Sequence, residues 1–109
     1  MTFDQVTPAL AGKISEMLKV LADPMRLKIM KLLHDGEFCV GDIVEKVGSS
    51  QANVSKHLGL LAQALLVRSE KRGMQVYYRI EDPEVSKICE AICTHYGKLV
   101  KKRLGALAS

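Results

Sequence analysis

No run of apolar residues comes near the roughly 18 needed to cross a bilayer. Met1-Thr2-Phe3-Asp4-Gln5 lacks the basic and apolar segments of a signal peptide. A cytoplasmic protein with no membrane partner is therefore expected. Cys-x-x-Cys, a glycine-rich phosphate loop and His-Glu-x-x-His are all missing, and the histidines, at 34, 57 and 95, are scattered over different predicted helices. Nothing has the spacing of nucleophile, base and anion cradle that catalysis needs, so the chain does not read as an enzyme. There is no internal repeat and no low-complexity linker. Cysteine is scarce and odd in number, three in all, which in a reducing compartment argues against a disulfide framework. Those thiols are left with three uses: metal binding, redox sensing or burial.

What is present suits one globular domain. The length is 109 residues, and 48% of them are hydrophobic, enough for a packed core. A chain this short buries a limited core and often gains stability by oligomerising. Sixteen basic residues against twelve acidic ones leave a net charge of +4, a mild bias toward a polyanionic partner. Pro8 opens a first helix over about residues 8–21, with Ile14, Met17, Leu18 and Leu21 at helical spacing. Asp23-Pro24 pairs an N-cap with a proline at the first helical position. Leu27, Ile29, Met30 and Leu33 give that second helix an apolar face, and Gly36 ends it. A short third helix around Val40–Val47 leads into the tight turn Gly48-Ser49-Ser50.

The next stretch is the one the chain is built to present. Ser50 is a good N-cap, and Val54, Leu58 and Leu61 fall at i, i+4, i+7 on one stripe. The other side carries Gln51, Asn53, Ser55, Lys56 and His57, rich in hydrogen-bonding groups and free of carboxylates. Such a face suits the donor and acceptor pattern of a DNA major groove; the alternative is the solvated face of an ordinary amphipathic helix. Two short helices joined by a glycine turn, over about residues 39–62, form a helix-turn-helix pattern. Two β-prone runs follow, Leu65-Leu66-Val67-Arg68-Ser69-Glu70 and Gln75-Val76-Tyr77-Tyr78-Arg79-Ile80. They predict a hairpin wing over about residues 66–80, with Lys71-Arg72-Gly73-Met74 as its turn. Its basic tip either reaches phosphates or a minor groove, or is a solvated turn.

Asp82-Pro83 starts a last helix reaching about Leu104. Val85, Ile88, Ile92, Tyr96 and Leu99 form one apolar stripe, and Cys89, Cys93, Tyr96, Val100 and Leu104 a second beside it. The combined surface is wider than one small core requires, and its excess predicts a dimer surface shared with the first helix. Gly12 and Gly97 allow close helix approach there.

Four segments then carry a family resemblance. They are Leu21-Ala22-Asp23-Pro24-Met25-Arg26-Leu27, Gly36-Glu37-Phe38-Cys39-Val40-Gly41-Asp42-Ile43, Ser50-Gln51-Ala52-Asn53-Val54-Ser55-Lys56-His57-Leu58 and Val76-Tyr77-Tyr78-Arg79-Ile80. In this order and spacing, across roughly residues 14 to 100, the chain resembles the ArsR/SmtB-type winged-helix repressors of metal and stress response. The resemblance implies a single winged helix-turn-helix domain over residues 1–109, mostly α with a small β-hairpin wing. It also implies a homodimer pairing through its first and last helices (about 8–21 and 83–104). Such a dimer binds an imperfect palindrome in double-stranded DNA, needs no cofactor to do so, and releases it when an inducer binds. Ser50, Gln51, Asn53, Ser55, Lys56 and His57, with Lys71 and Arg72 of the wing, are the expected DNA contacts. His57 has a second reading, a hydrogen bond to a neighbouring turn. One departure stands out: the family has glycine after the recognition helix where this chain has Leu65, which implies a different helix-to-strand turn.

Three sensor sites can be tested against the residues. The family's arsenic-type Cys-Val-Cys reads Cys39-Val40-Gly41 here, one thiol short. Its zinc-type pattern reads Asp82, Glu84, His95 and Lys98, with a cation where the last ligand belongs. The third site is built from the thiols present: Cys89 and Cys93 are i, i+4 on one helical face, and Cys39 begins a helix where the dipole favours thiolate. If the three meet, arsenite, antimonite, cadmium or lead is the expected inducer, with zinc the candidate for the weaker site. The same thiols suit a disulfide or polysulfide switch, and Cys89 and Cys93 also suit plain packing. A winged-helix protein–protein module is the reading from another class. Steep loss of affinity with salt separates DNA binding from an apolar protein interface.

Overall fold

Side-chain caps and prolines decide where the helices begin. In this computed structural model, which describes residues 2–105, a 3₁₀ turn at Phe3–Gln5 precedes α1, Pro8–Leu21. Helix α2 spans Pro24–His34, α3 Val40–Val47, α4 Gln51–Gln63 and α5 Pro83–Leu104. Thr7, Asp23, Ser50 and Asp82 cap α1, α2, α4 and α5 by accepting from backbone N–H groups of the first turn. Prolines stand at the first positions of α1, α2 and α5, where no N–H is needed. Between α3 and α4, Gly48 takes the left-handed conformation (φ 69°, ψ 46°), which sets α4 across α3 as a helix-turn-helix.

The core is made by the three central helices. Ile29, Met30 and Leu33 of α2, Ile43 and Val47 of α3, and Val54, Leu58 and Leu61 of α4 are all buried, closed below by Leu66 and Val67. Each such side chain contributes about 1.5–3 kcal/mol of burial, and the stripe on α4 fixes which face of that helix remains outside. Helix α5 has no buried residue at all. It runs from the sheet with Ile88, Ile92, Tyr96, Leu99 and Leu104 exposed.

The wing is larger than the sequence suggested. It is a three-stranded antiparallel sheet in the order β1-β3-β2, with β1 Phe38–Cys39, β2 Val67–Arg72 and β3 Gln75–Ile80. Strand β1 pairs Phe38 with Tyr78 and Cys39 with Tyr77, too short a stretch to announce itself by alternation. The expected four-residue turn is also corrected. Arg72 pairs with Gln75, so the turn is Gly73-Met74 alone, with Gly73 at φ 62° in the position a tight hairpin needs. Lys71 and Arg72 are therefore strand residues, and Met74, 97% exposed, is the tip.

The junction from α4 to β2 corrects a second expectation. Leu65 adopts φ 63°, the left-handed conformation that glycine would take. Its N–H donates to Ala62 O and the Leu66 N–H donates to Leu61 O, both at 3.0 Å, the paired bonds of a glycine-type helix end. The turn has the geometry of a glycine-ended helix and leucine carries its strain, because Leu61 and Leu66 on either side are held in the core.

Candidate nucleic-acid interface and thiol site

Helix α4 turns Gln51, Ser55 and Lys56 outward, all exposed, with no carboxylate anywhere along its length. Ser50 is exposed beside them, its Oγ accepting from the Asn53 N–H at 3.1 Å. Asn53 is half-buried, and its amide Nδ2 donates to Ser49 Oγ at 2.9 Å. Ser50 and Asn53 both stand at the helix N-terminus. Free backbone N–H groups and a positive dipole end gather at that point, a setting that receives phosphate readily.

His57 does not share this face. It is 8% exposed, its Nδ1 lying 3.1 Å from Arg26 Nη1 and 4.0 Å from Asp23 Oδ1. A guanidinium can only donate, so His57 Nδ1 is the acceptor in the Arg26 contact. Arg26 also donates through Nε to Val20 O, and Asp23 accepts the Arg26 N–H at 3.0 Å. That backbone hydrogen bond, with the guanidinium's charge, holds the Asp23 carboxyl below its ordinary range. The expected groove contact is thus corrected to a strut: His57 ties the underside of α4 to the α1–α2 junction. Its position was legible in the helical period, since 54, 57, 58 and 61 fall at i, i+3, i+4, i+7; its partner 31 positions upstream was not.

The wing residues divide as well. Lys71 is exposed and forms no ion pair among the described residues. Arg72 is held by Glu37 through two hydrogen bonds and by Glu70 at 2.6 Å, and lies 4.9 Å over the Tyr77 ring. Its fork already has carboxylate partners, which lowers its value as a phosphate contact in this conformation.

The thiols separate into two places. Cys39 is half-buried in β1, opposite Tyr77. Half-buried Cys89 and exposed Cys93 line a cavity of about 470 Å³ between α2 and α5. Burial, then the neighbouring Cys93, pushes the Cys89 thiol up from its ordinary pKa. Among the described residues no three His, Cys, Asp or Glu side chains converge within one chain to hold a metal ion, so Cys39 does not join the other two inside a protomer. The weaker zinc-type set is engaged elsewhere: Asp82 caps α5, and Glu84 accepts from Lys87 at 3.0 Å, leaving exposed His95 without them. Two residues not singled out in the sequence share the thiol cavity, His34 and Glu90. His34 meets Ser86 across 52 positions of chain and Glu90 across 56, so no local pattern could have brought it to the thiols, whereas Glu90, three residues before Cys93 on the same helix, was within reach of the helical period.

Residues 23–69 match the family of bacterial regulatory proteins called arsR. The arsenical resistance operon repressor of Bacillus subtilis is 35% identical over 97 residues, which are 87% of this chain and 92% of that one. The chain belongs to the arsR family. The biofilm growth-associated repressor of Xylella fastidiosa is 30% identical over 84 residues, 77% of this chain and 74% of the relative. Among solved structures, a homodimeric winged helix-turn-helix DNA-binding domain from Mycobacterium bovis aligns at TM-score 0.81 with 27% identity, covering 87% of this chain and 88% of that one. As an arsR-family protein the chain is a DNA-binding transcriptional regulator of winged helix-turn-helix fold, not an enzyme. No helix among the described residues is long and apolar enough to cross a membrane.

Proposed function

We propose that this protein is a homodimeric repressor that grips operator DNA through α4 and lets go when a thiophilic metal or metalloid engages Cys89 and Cys93. The observation that carries the sensor half is the shared cavity: both thiols open into one space between α5 and α2, while Cys39 stands apart in the sheet. Soft thiolates select soft ions, and the Bacillus subtilis relative is a repressor of arsenical resistance. Helix α2 packs on α4, so a ligand that repositions α5 against α2 acts one layer from the DNA-facing helix. In a two-fold dimer the two α4 helices read half-sites about one helical turn apart, which calls for an imperfect palindrome. Gln51 and Asn53 suit adenine, Lys56 guanine or phosphate, and Ser50, Ser55 and Lys71 suit the backbone.

Fluorescence anisotropy on a fragment from upstream of the protein's own gene tests both halves. Lys56→Glu is expected to abolish binding and leave the dimer intact; a variant that still binds overturns the α4 assignment. Release of the wild type by arsenite or cadmium, lost in Cys89→Ser/Cys93→Ser, is the expected sensor result. Release by an organic polysulfide alone, reversed by dithiothreitol, makes the pair a sulfur or redox switch instead. A double variant that stays fully inducible removes the thiols from sensing.

A further inference from the structure

The cavity between α2 and α5 is larger than a single ion fills. We propose that it admits small apolar enones, that Cys93 captures them by conjugate addition, and that the adduct releases operator DNA. The inference rests on the reading of this cavity as the sensor and names a second chemical class of inducer for it.

Volume and lining suit an organic ligand. The space, about 470 Å³, falls within the range of small-molecule sites, which are walled mostly by hydrophobic side chains with a few polar groups. Here Leu27 and Met30 of α2 and Ile80 of β3 form the apolar wall beside the two thiols. Met30 belongs to the buried core and anchors that wall. Leu27 is 42% exposed, so a ligand laid against it removes apolar surface from water. Most of the polar lining is already partnered. His34 Nε2 faces Glu90 Oε2 at 3.9 Å, its Nδ1 is hydrogen-bonded to Ser86, and Lys28 donates to Val47 O at 2.9 Å. Lys31 lines the same cavity, is exposed, and forms no ion pair among the described residues.

The thiols divide the chemistry between them. Cys89 is half-buried, and burial, then the neighbouring Cys93, pushes its thiol up, so it keeps its proton at neutral pH. Cys93 is exposed and is the nucleophile. Its thiol gives a proton to solvent, and its sulfur bonds to the β-carbon of the enone. The carbon–carbon π pair moves onto the carbonyl oxygen as an enolate, a developing charge for which Lys31 is the cation in the same cavity. A proton from water at the α-carbon then restores the carbonyl. One S–H bond and one carbon–carbon π bond are exchanged for one C–S and one C–H bond, so the step needs no oxidant or reductant. The captured tail lies between α5 and α2, and α2 packs on the DNA-facing α4.

Pentyl vinyl ketone and methyl vinyl ketone carry the same reactive group and differ only in the apolar tail, so together they test the cavity. On the reduced full-length protein, peptide mass spectrometry is expected to find the pentyl adduct on Cys93, formed at least about tenfold faster than the methyl one, while glutathione takes both at similar rates. Leu27→Gln is expected to narrow that difference without slowing the methyl ketone. Equal rates at Cys93 overturn the cavity as the capture site. In fluorescence anisotropy, pentyl vinyl ketone is expected to release the operator from the wild type and from Cys89→Ser but not from Cys93→Ser, whereas arsenite needs both thiols. An adduct on Cys93 with the operator still bound overturns enones as inducers. Arsenite release without enone release overturns this inference and leaves the metal reading standing. Enone release with arsenite and cadmium inert overturns the metal reading and upholds the enone site.

Discussion

At the scale of single residues, Leu65 is where sequence and fold disagree most usefully. A leucine at φ 63° pays roughly 1–2 kcal/mol of steric strain relative to glycine. It is 75% exposed, so truncation to glycine removes little burial. The greater freedom of glycine in the unfolded chain cancels part of the gain. Leu65→Gly is therefore expected to stabilise the protein by about 0.5–1 kcal/mol, raising the thermal midpoint by several degrees. Calorimetry reads this directly, and an unchanged or lowered midpoint shows that Leu65 is held by contacts that repay its strain. His57 teaches a related lesson. Its composition neighbours, Lys56 and Ser55, face outward, and reading it with them put it in the groove. The helical period assigns it to the buried stripe, and only the fold supplies the Arg26 that satisfies it there. Residue identity told what these side chains do chemically; angular position and distant partners told where they do it.

At the scale of elements, helix boundaries were legible because caps and prolines are local signals. The two-residue β1 was not, because pairing with β3 is decided by chain brought from elsewhere. The Arg72 clamp has the same character: Glu37 lies beyond β1 in sequence, and its two hydrogen bonds to Arg72 fasten the hairpin to the strand that the sequence hid. Arg72 also depresses the Glu70 carboxyl, first by a direct hydrogen bond and then by its charge. A carboxyl with a lowered folded value adds stability that is fully present above its ordinary value of 4.5 and is lost as pH falls through the folded one. Arg72→Met is thus expected to raise amide exchange severalfold across β2 and β3 at neutral pH. It should also flatten the acid side of the stability curve below about pH 4.5 relative to wild type. If exchange in the sheet is unchanged, the clamp is incidental and Arg72 is released to serve as a DNA contact. The same measurement therefore decides which of two uses the wing makes of its arginine.

The whole molecule is not complete as one chain. Its radius of gyration is 15.5 Å, against about 13 Å for a compact domain of this size, because α5 projects without burying a residue. Ile92 and Tyr96 are 54% and 63% exposed at the middle of that helix, with Ile88 and Leu99 one turn to either side. On α1, Ile14 and Leu18 add to the apolar surface left open. A stripe of this length is the mark of an interface, and a two-fold pairing buries each position twice. Two isoleucines at about 1.5–3 kcal/mol each correspond to a change of roughly 100-fold or more in dimer dissociation. Ile92→Glu, which also sets two like charges near the axis, is expected to yield monomer at micromolar concentration in sedimentation experiments. Operator affinity should fall with it, since one α4 then reads one half-site, while the monomer keeps its helical circular dichroism because the core lies in α2, α3 and α4. A variant that remains dimeric moves the interface off α5, and the thiol cavity then no longer adjoins the surface that joins the two DNA-reading halves.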